Sequence, residues 1–360
     1  MCLLFFAYDC HPRYRLILAA NRDEYYHRPT DLAHFWASHP WVLAGRDLEM
    51  LGTWIGITRS GRFAALTNFR DPSAQIIGPK SRGMLVSNFL CLNESPEKYM
   101  LEVANKRTLY NPFNLLVGDS SNLLYFNKQS SKALALKPGI YGLSNHFLDT
   151  PWPKVQKSKQ ALANYLENMT LIEPQYLFEI LADTELAQDH ELPKTGISQE
   201  QEKFLSSIFI QGINYGTRSS TVLLIDYNNH VIFMEKSFIP GQEQCVEVNH
   251  EFDFSNKQNG AKQFVRKEVV TMDNPCGTTK ANIFESTEIN GTPIYFGSGV
   301  NPVNSPAQYF VAWGKGVLAG GLIHTFNSKL PEQGAEWFID EDEAEAKYIK
   351  IQRLLAGCLL

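Results

Sequence analysis

Cysteine at position 2 can do chemistry open to none of the other five cysteines in this 360-residue chain. Removal of Met1 would leave Cys2 with a thiol and a free α-amine on one Cα, a nucleophile with its base already in place. The α-amine titrates near pH ~8 and a free thiol near ~8.5, so both work close to neutrality. A free cysteine at the start of an apolar run is also simply a small hydrophobe. Cys2 therefore has to be judged by its companions. Four polar clusters lie at the ends or starts of apolar runs: Asn21-Arg22-Asp23, Thr67-Asn68, Ser144-Asn145 and Gly216-Thr217-Arg218-Ser219-Ser220. Taken singly, these are ordinary turn residues and a solvated arginine. As a set beside Cys2, chance explains them poorly.

The elements that must position them follow from hydrophobic periodicity and turn signals. Leu3 to Tyr8 reads as a buried strand and Arg15 to Ala20 as its hairpin partner, which carries Asp23 back beside Cys2. Further strands are expected at 53–58, 63–67, 114–118, 123–127, 139–143, 220–227 and 230–236. Helices are expected over 81–93, 96–106, 153–167 and 174–183, with Ser81 and Ser95 as N-caps. A polar stretch near 253–262 reads as a linker. Beyond it, Asn290-Gly291 is the best hairpin signal in the chain, and 340–359 reads as a closing helix. Hairpins interleaved with helix pairs predict an α+β fold of antiparallel sheets covered by helices.

Composition excludes several classes of function. Hydrophobic residues make up 44% and charged residues 20%, ordinary for a globular chain with a sizeable core. The net charge of −5, with no basic run, argues against a nucleic-acid partner. No Cys-x-x-Cys pair occurs among the scattered cysteines, so neither a zinc site nor a disulfide framework is expected. The apolar run 3–8 is too short to span a membrane and lacks the marks of a signal peptide. A cytoplasmic protein without a transmembrane segment, working on a small molecule, is the expectation.

The opening Met1-Cys2, Asn21-Arg22-Asp23-Glu24, Thr67-Asn68-Phe69-Arg70-Asp71 and Tyr215-Gly-Thr-Arg-Ser-Ser-Thr221, in that order, resemble the NRDE family, also called the transport and Golgi organisation family. The resemblance covers roughly residues 1–250 and leaves a C-terminal part, 256–360, as an extension or a small additional α+β region. The NRDE family in turn is similar to N-terminal-nucleophile hydrolases of the penicillin V acylase and bile salt hydrolase type. That resemblance implies a four-layer αββα sandwich. It also implies Cys2 as nucleophile, Asp23 on its amine, Asn68 in the oxyanion hole, Asn145 as a second active-site asparagine and Arg218 as electrostatic support. Asn21 and Arg22 fall where substrate would bind.

One position departs from the hydrolase pattern. Those enzymes carry an arginine just before the first-hairpin asparagine, where this chain has Ala20. Arg22 lies two positions further on, which in a strand is the same face. The leading expectation is an N-terminal-cysteine hydrolase or acyltransferase acting on a non-peptide amide or related acyl bond, with no cofactor and no metal. The alternative implied by the NRDE resemblance is a non-catalytic carrier of haem or of a lipid or acyl-CoA. Haem would need an axial ligand, for which Cys10, His11 and His146 qualify only by residue type. A redox role for Cys2 with Cys10 is a third reading.

Overall fold

The computed structural model describes residues 2–239 and 245–254 except 77, together with strand segments between 268 and 338. The chain divides into two compact units, 1–258 and 259–360.

The first unit contains two antiparallel sheets. One has the order β10-β1-β2-β11-β12-β13. Its strands are β1 (Cys2–Tyr8), β2 (Tyr14–Tyr25), β10 (Gly139–Leu143), β11 (Tyr215–Asp226), β12 (His230–Phe238) and β13 (Cys245–Asp253). The other runs β3 to β9 in sequence order. Its strands are β3 (Thr30–Phe35), β4 (Val42–Asp47), β5 (Ile55–Thr58), β6 (Phe63–Asn68), β7 (Phe113–Gly118), β8 (Leu123–Asn127) and β9 (Leu134–Ala135). The helices are α1 (Gly83–Cys91), α2 (Pro96–Lys106), α3 (Pro153–Asn168), α4 (Pro174–Leu181) and α5 (Gln199–Phe204).

Strand alternation sorts the apolar residues into three layers of core. Leu4, Phe6, Leu16 and Leu18 on one face of the first sheet meet Ile55, Ile57, Phe63 and Leu116 of the second. Leu3, Phe5, Ile17, Ala19 and Leu224 point the other way and pack against Val155 and Leu162 of α3 and Leu177 and Phe178 of α4. Ala64, Leu115 and Val117 turn outward from the second sheet onto Val86 and Phe89 of α1 and Met100 and Val103 of α2. The result is the four-layer αββα sandwich that the resemblance implied. Ser95 caps α2 by accepting the Lys98 N–H, as expected. Ser81 does not cap α1, whose N-cap position is Arg82 and carries no side-chain hydrogen bond.

Where α1 crosses β5 the sheet needs a glycine. A Cβ on Gly56 would lie 2.7 Å from Ala44 Cβ, 2.7 Å from Leu90 Cδ1 and 2.9 Å from the Leu43 carbonyl. Gly56→Ala is therefore expected to destabilise the protein by about 2 kcal/mol through overpacking. A urea midpoint unchanged from wild type would show that the helix can lift away freely.

A polar network ties the two sheets together at one end. Asn114 Nδ2 donates to Thr67 Oγ1 (2.9 Å), the Ser144 carbonyl (3.3 Å) and the His146 carbonyl (2.9 Å), while its Oδ1 accepts from Tyr125 (2.8 Å) and Asn127 (2.7 Å). Thr67 Oγ1 donates to the Ser144 carbonyl at 2.7 Å. Because Asn114 is fully buried, satisfying both ends of its amide fixes how β6, β7 and β10 meet.

In the second unit, β14 (Glu268–Asn274), β15 (Gly277–Ile289), β16 (Thr292–Gly299), β17 (Tyr309–Trp313) and β18 (Gly334–Phe338) form an antiparallel meander with a sheet of its own. Ile289 pairs with Thr292 in the antiparallel β15–β16 pair; the expected Asn290-Gly291 turn itself lies outside the described residues. The expected helix at 340–359, and residues 255–262 of the expected linker, also lie outside the described residues. Among the described residues, no helix is long and apolar enough to cross a membrane.

Candidate active site

The site is built where β1 begins and β6 and β10 end. Antiparallel pairing sets Cys2 opposite Arg22 and Leu3 opposite Asn21. Paired residues share a face, so Cys2 and Arg22 point the same way while Leu3 and Asn21 point to the other side. β2 does not stop at Ala20. It continues through Asn21-Arg22-Asp23 to Tyr25, paired with β11 over nearly its whole length. The polar cluster is thus strand interior rather than strand end, because each side chain has a partner across the ladder or the layer.

A cavity of about 220 Å³ opens on this end and is lined by Cys2, Arg22, Asp23 and Asn68, among others. Cys2 is half-buried, Asp23 is 2% exposed and Arg22 6%. Asp23 Oδ1 accepts a hydrogen bond from Thr217 Oγ1 at 2.7 Å, and the Tyr215 hydroxyl donates to the Asp23 carbonyl at 3.1 Å. Burial pushes the Asp23 carboxyl up, and the Lys154 ammonium and Thr217 pull it down. Burial likewise pushes the Cys2 thiol up, with the Asp23 charge adding to the rise. A hydrogen bond from the Asp23 backbone and the Arg22 guanidinium oppose it.

Asn68 lines the cavity at the end of β6. Asn145 is fully buried and does not reach in. Its Nδ2 donates to the Asn68 carbonyl at 2.8 Å, and its own carbonyl accepts from Arg70 N at 2.7 Å. Next to it, Ser144 Oγ donates to the Cys2 carbonyl at 3.0 Å. The Ser144-Asn145 pair therefore holds both Cys2 and Asn68 by their backbones.

Two expected site residues lie elsewhere. Asn21 faces the helical layer, donating to the Leu181 and Ile208 carbonyls at 2.9 Å each and accepting from Ser220 at 2.6 Å. It fastens β2 and β11 to α4 and does not line the cavity. Arg218 sits at an irregularity between Thr217 and Ser219 that re-aims its side chain. Its guanidinium donates to the carbonyls of Tyr25 (3.1 Å), Tyr26 (2.7 Å) and Arg28 (3.1 Å), bracing the turn after β2. It does not line the cavity.

The cations within electrostatic reach of the Cys2 thiol include Arg22, Arg82 and Lys154. Arg22 Nη2 pairs with Asp47 at 3.2 Å, its Nη1 donates to Thr30 at 3.1 Å, and its guanidinium lies 4.3 Å over the Trp54 ring. This is the residue two positions beyond Ala20, and it stands on the Cys2 face. Lys154, near the start of α3, is 3% exposed and donates to the Leu205 carbonyl at 2.9 Å. Burial lowers its pKa to about 8, against the pull of Asp23 and Cys2. Neither Lys154 nor Asp47 was singled out by the sequence. A lone lysine after Trp-Pro, and an aspartate at the end of an unrecognised strand, carry no local signal.

No group of three or more potential metal ligands clusters among the described residues. His11 Nε2 contacts the Met169 carbonyl at 3.0 Å and its Nδ1 faces the N–H groups of Arg13 and Tyr14 at 3.2 Å, so both ring nitrogens are engaged. His146 Nδ1 contacts Thr150 Oγ1 at 2.9 Å, with its ring stacked on Phe69. Cys10 is exposed beyond the far end of β1, about 20 Å from Cys2 at ~3.3 Å per strand residue. None of the three lines the cavity.

Comparison with known proteins follows the same boundaries. The family profile "Transport and Golgi organisation 2" matches residues 1–240. The mouse Transport and Golgi organization 2 homolog is 36% identical over 269 residues, covering 69% of this chain and 97% of its own length. The human homolog is 36% identical over 259 residues, covering 66% of this chain and 94% of its own. The Drosophila melanogaster protein is 27% identical over 287 residues, covering 72% and 100%. Among solved structures, the C2A mutant of a conjugated bile acid hydrolase from Clostridium perfringens overlays with a TM-score of 0.41 at 10% identity, covering 71% of this chain and 98% of that one. A Caenorhabditis elegans N-acylethanolamine-hydrolyzing acid amidase overlays with a TM-score of 0.33 at 10% identity, covering 62% and 92%. Overlays that loose say nothing about the chemistry of this chain. The profile, spanning 240 of 360 residues, and the 36% identity to nearly complete mammalian relatives decide the matter: the chain belongs to the Transport and Golgi organisation 2 family.

Proposed function

We propose that this protein is an N-terminal-cysteine hydrolase or acyltransferase acting on a non-peptide amide or related acyl bond. The observation that carries the reading is the convergence of Cys2, Asp23 and Asn68 on one cavity from three strand segments. Removal of Met1 frees the α-amine beside the Asp23 carboxylate. The thiol passes its proton to that amine, and the thiolate attacks the carbonyl carbon to form the C–S bond. Asn68 donates to the resulting oxyanion, a contribution of about 3–4 kcal/mol for a well-placed donor. Collapse breaks the C–N bond, and the leaving nitrogen takes the proton from the α-amine. Water, or an acceptor nucleophile, then cleaves the thioester and restores the thiol. Asn145 and Ser144 position Asn68 and Cys2, and Arg22 lowers the thiol pKa against the effect of burial.

The test is brief iodoacetamide treatment near neutral pH, followed by mass spectrometry of the N-terminal peptide. The expected result is loss of Met1 and alkylation of Cys2 ahead of the exposed Cys10. Retained Met1, or a Cys2 slower than Cys10, would overturn the nucleophile assignment.

One observation favours a second reading, a non-catalytic carrier: burial raises the thiol pKa rather than lowering it. The cavity is below the ~300–1,000 Å³ usual for a drug-sized ligand, so it suits the head of an acyl chain better than a macrocycle. Cys2 and Met50 are its only soft potential haem ligands among the described residues. Titration with haem and with acyl-CoA separates the two cargoes.

A further inference from the structure

The charges around the cavity are unevenly engaged. Asp47 holds both Arg22 and Arg28, at 3.2 and 2.5 Å. Glu24 accepts from Tyr25 N at 2.9 Å and lies 3.9 Å from Arg28, and Asp23 is bonded by Thr217. The wall formed by Lys80, Ser81 and Arg82 differs. Arg82 donates Nη1 to the Pro112 carbonyl at 3.0 Å, and among the described residues neither Arg82 nor Lys80 has a carboxylate within ion-pair distance. Asn111, on the same cavity, uses its Oδ1 to accept from Ile76 N at 2.9 Å, which leaves its NH₂ as a donor. Cations and donors thus gather here without an acceptor to match. Burial lowers the Arg82 pKa while Cys2 and Glu24 draw it back up, so the guanidinium is within electrostatic reach of the thiol.

We infer that the ligand of this cavity carries an anionic oxygen group, a carboxylate or a phosphate, which binds Lys80 and Arg82 while its acyl carbonyl faces Cys2 and Asn68. The inference rests on Cys2 being the reacting group, and it narrows the substrate to an anionic acyl compound rather than a neutral amide. Two unpaired cations beside a partly closed cavity concentrate anions at the thiol, and a guanidinium gives a carboxylate or phosphate a planar pair of donors.

The test compares iodoacetate with iodoacetamide. In both reactions the thiolate displaces iodide, and the reagents differ chiefly in charge. The ratio of the two rates at Cys2 is therefore independent of how much thiolate is present, and exposed Cys10 supplies the reference ratio. The expected iodoacetate preference at Cys2 is about tenfold over that at Cys10, suppressed by added inorganic phosphate and reduced to the Cys10 value in the K80Q/R82Q double variant. Equal ratios at the two cysteines, or a preference the double variant keeps, would overturn the anion site while leaving the nucleophile intact. Should Cys2 react with neither reagent, the nucleophile reading fails, and the anion site is read from thermal stability instead. Inorganic phosphate or hexanoate then raises the wild-type Tm and leaves that of the exposed-site variant Lys80→Gln less shifted. Equal shifts in both proteins, or none, reject the site, and the stronger of the two ligands tells phosphate from carboxylate.

Discussion

Cys2→Ser is expected to lower kcat/KM for acyl-bond cleavage by a factor on the order of 10³ or more, with the fold intact. The size follows from the proton balance. An α-amine titrating near ~8 can take a proton from a thiol near ~8.5, but a serine hydroxyl is far less acidic and a weaker nucleophile in the same place. Packing should hardly change, because Cys2 is half-buried at a cavity edge and its anchoring bond from Ser144 goes to the backbone carbonyl. Turnover is measured on N-acyl substrates after mass spectrometry has shown Met1 removed from both proteins, with Tm as the control for folding. Near-wild-type turnover in the serine variant would assign the chemistry to another residue. The thiol is pushed up by burial, so the thiolate fraction keeps growing above pH ~8.5. Wild-type activity should therefore still be rising there, and a plateau already reached by pH 7 would contradict the raised thiol.

How much of this was legible in the residues depends on where each element finds its partners. β1, β7 and β8 are short apolar runs between turn signals, and α2 carries a serine cap and a proline at its start, so local chemistry defines all four. β4 escaped notice because half of it is Gly45-Arg46-Asp47, buried residues whose burial depends on Arg22, Arg28 and Trp36 elsewhere in the chain. β3 is an edge strand with Asp31 and His34 exposed, and Thr30-Asp31 at its start reads as a turn. The polar ends assigned to β2 and β11 were displaced for the same reason: Asn21, Asp23 and Thr217 look like turn residues until the layer that satisfies them is in place. Of the site, Asp23 could be found beside Cys2 because a hairpin register is a short-range property, whereas Asn68, on the other sheet, was expected only from the motif resemblance. Lys154 and Arg82 could not be found, since helix packing alone brings them near the thiol. Arg218 was expected at the thiol because its motif is there. A one-residue irregularity in β11, which no pattern announces, turns it onto carbonyls instead.

The second large effect comes from Glu235, and its expected sign is the reverse of the usual one for a carboxylate. At pH 8, Glu235→Gln should be more stable than wild type by about 3 kcal/mol. Glu235 lies on β12 among the residues that face the other sheet, with no exposed surface. Its Oε1 accepts from Ala33 N at 2.9 Å and its Oε2 from Thr221 Oγ1 at 3.5 Å, so it links β12 to β3 across the sandwich. Desolvation raises its pKa to about 7, against the opposing effects of the Ala33 hydrogen bond, Arg22 and Thr221. In the unfolded chain the same group titrates near ~4.3. The folded state therefore binds the proton more tightly. The stability this confers is fully present below about pH 4 and is lost as pH rises through about 7, at roughly 1.4 kcal/mol per unit of pKa difference. Glutamine keeps an oxygen for Ala33 N, and its NH₂ can donate to the Thr221 hydroxyl, so the substitution removes the titration while keeping the hydrogen bonds satisfied. Urea unfolding of both proteins from pH 4 to 8 isolates the effect, since every other titrating group is common to the pair. The two stability curves should nearly meet at pH 4 and separate progressively up to pH 8. Parallel curves, or a variant less stable at pH 8, would mean that Glu235 stays ionised in the fold and that Arg22, which also faces Cys2, is its partner in charge.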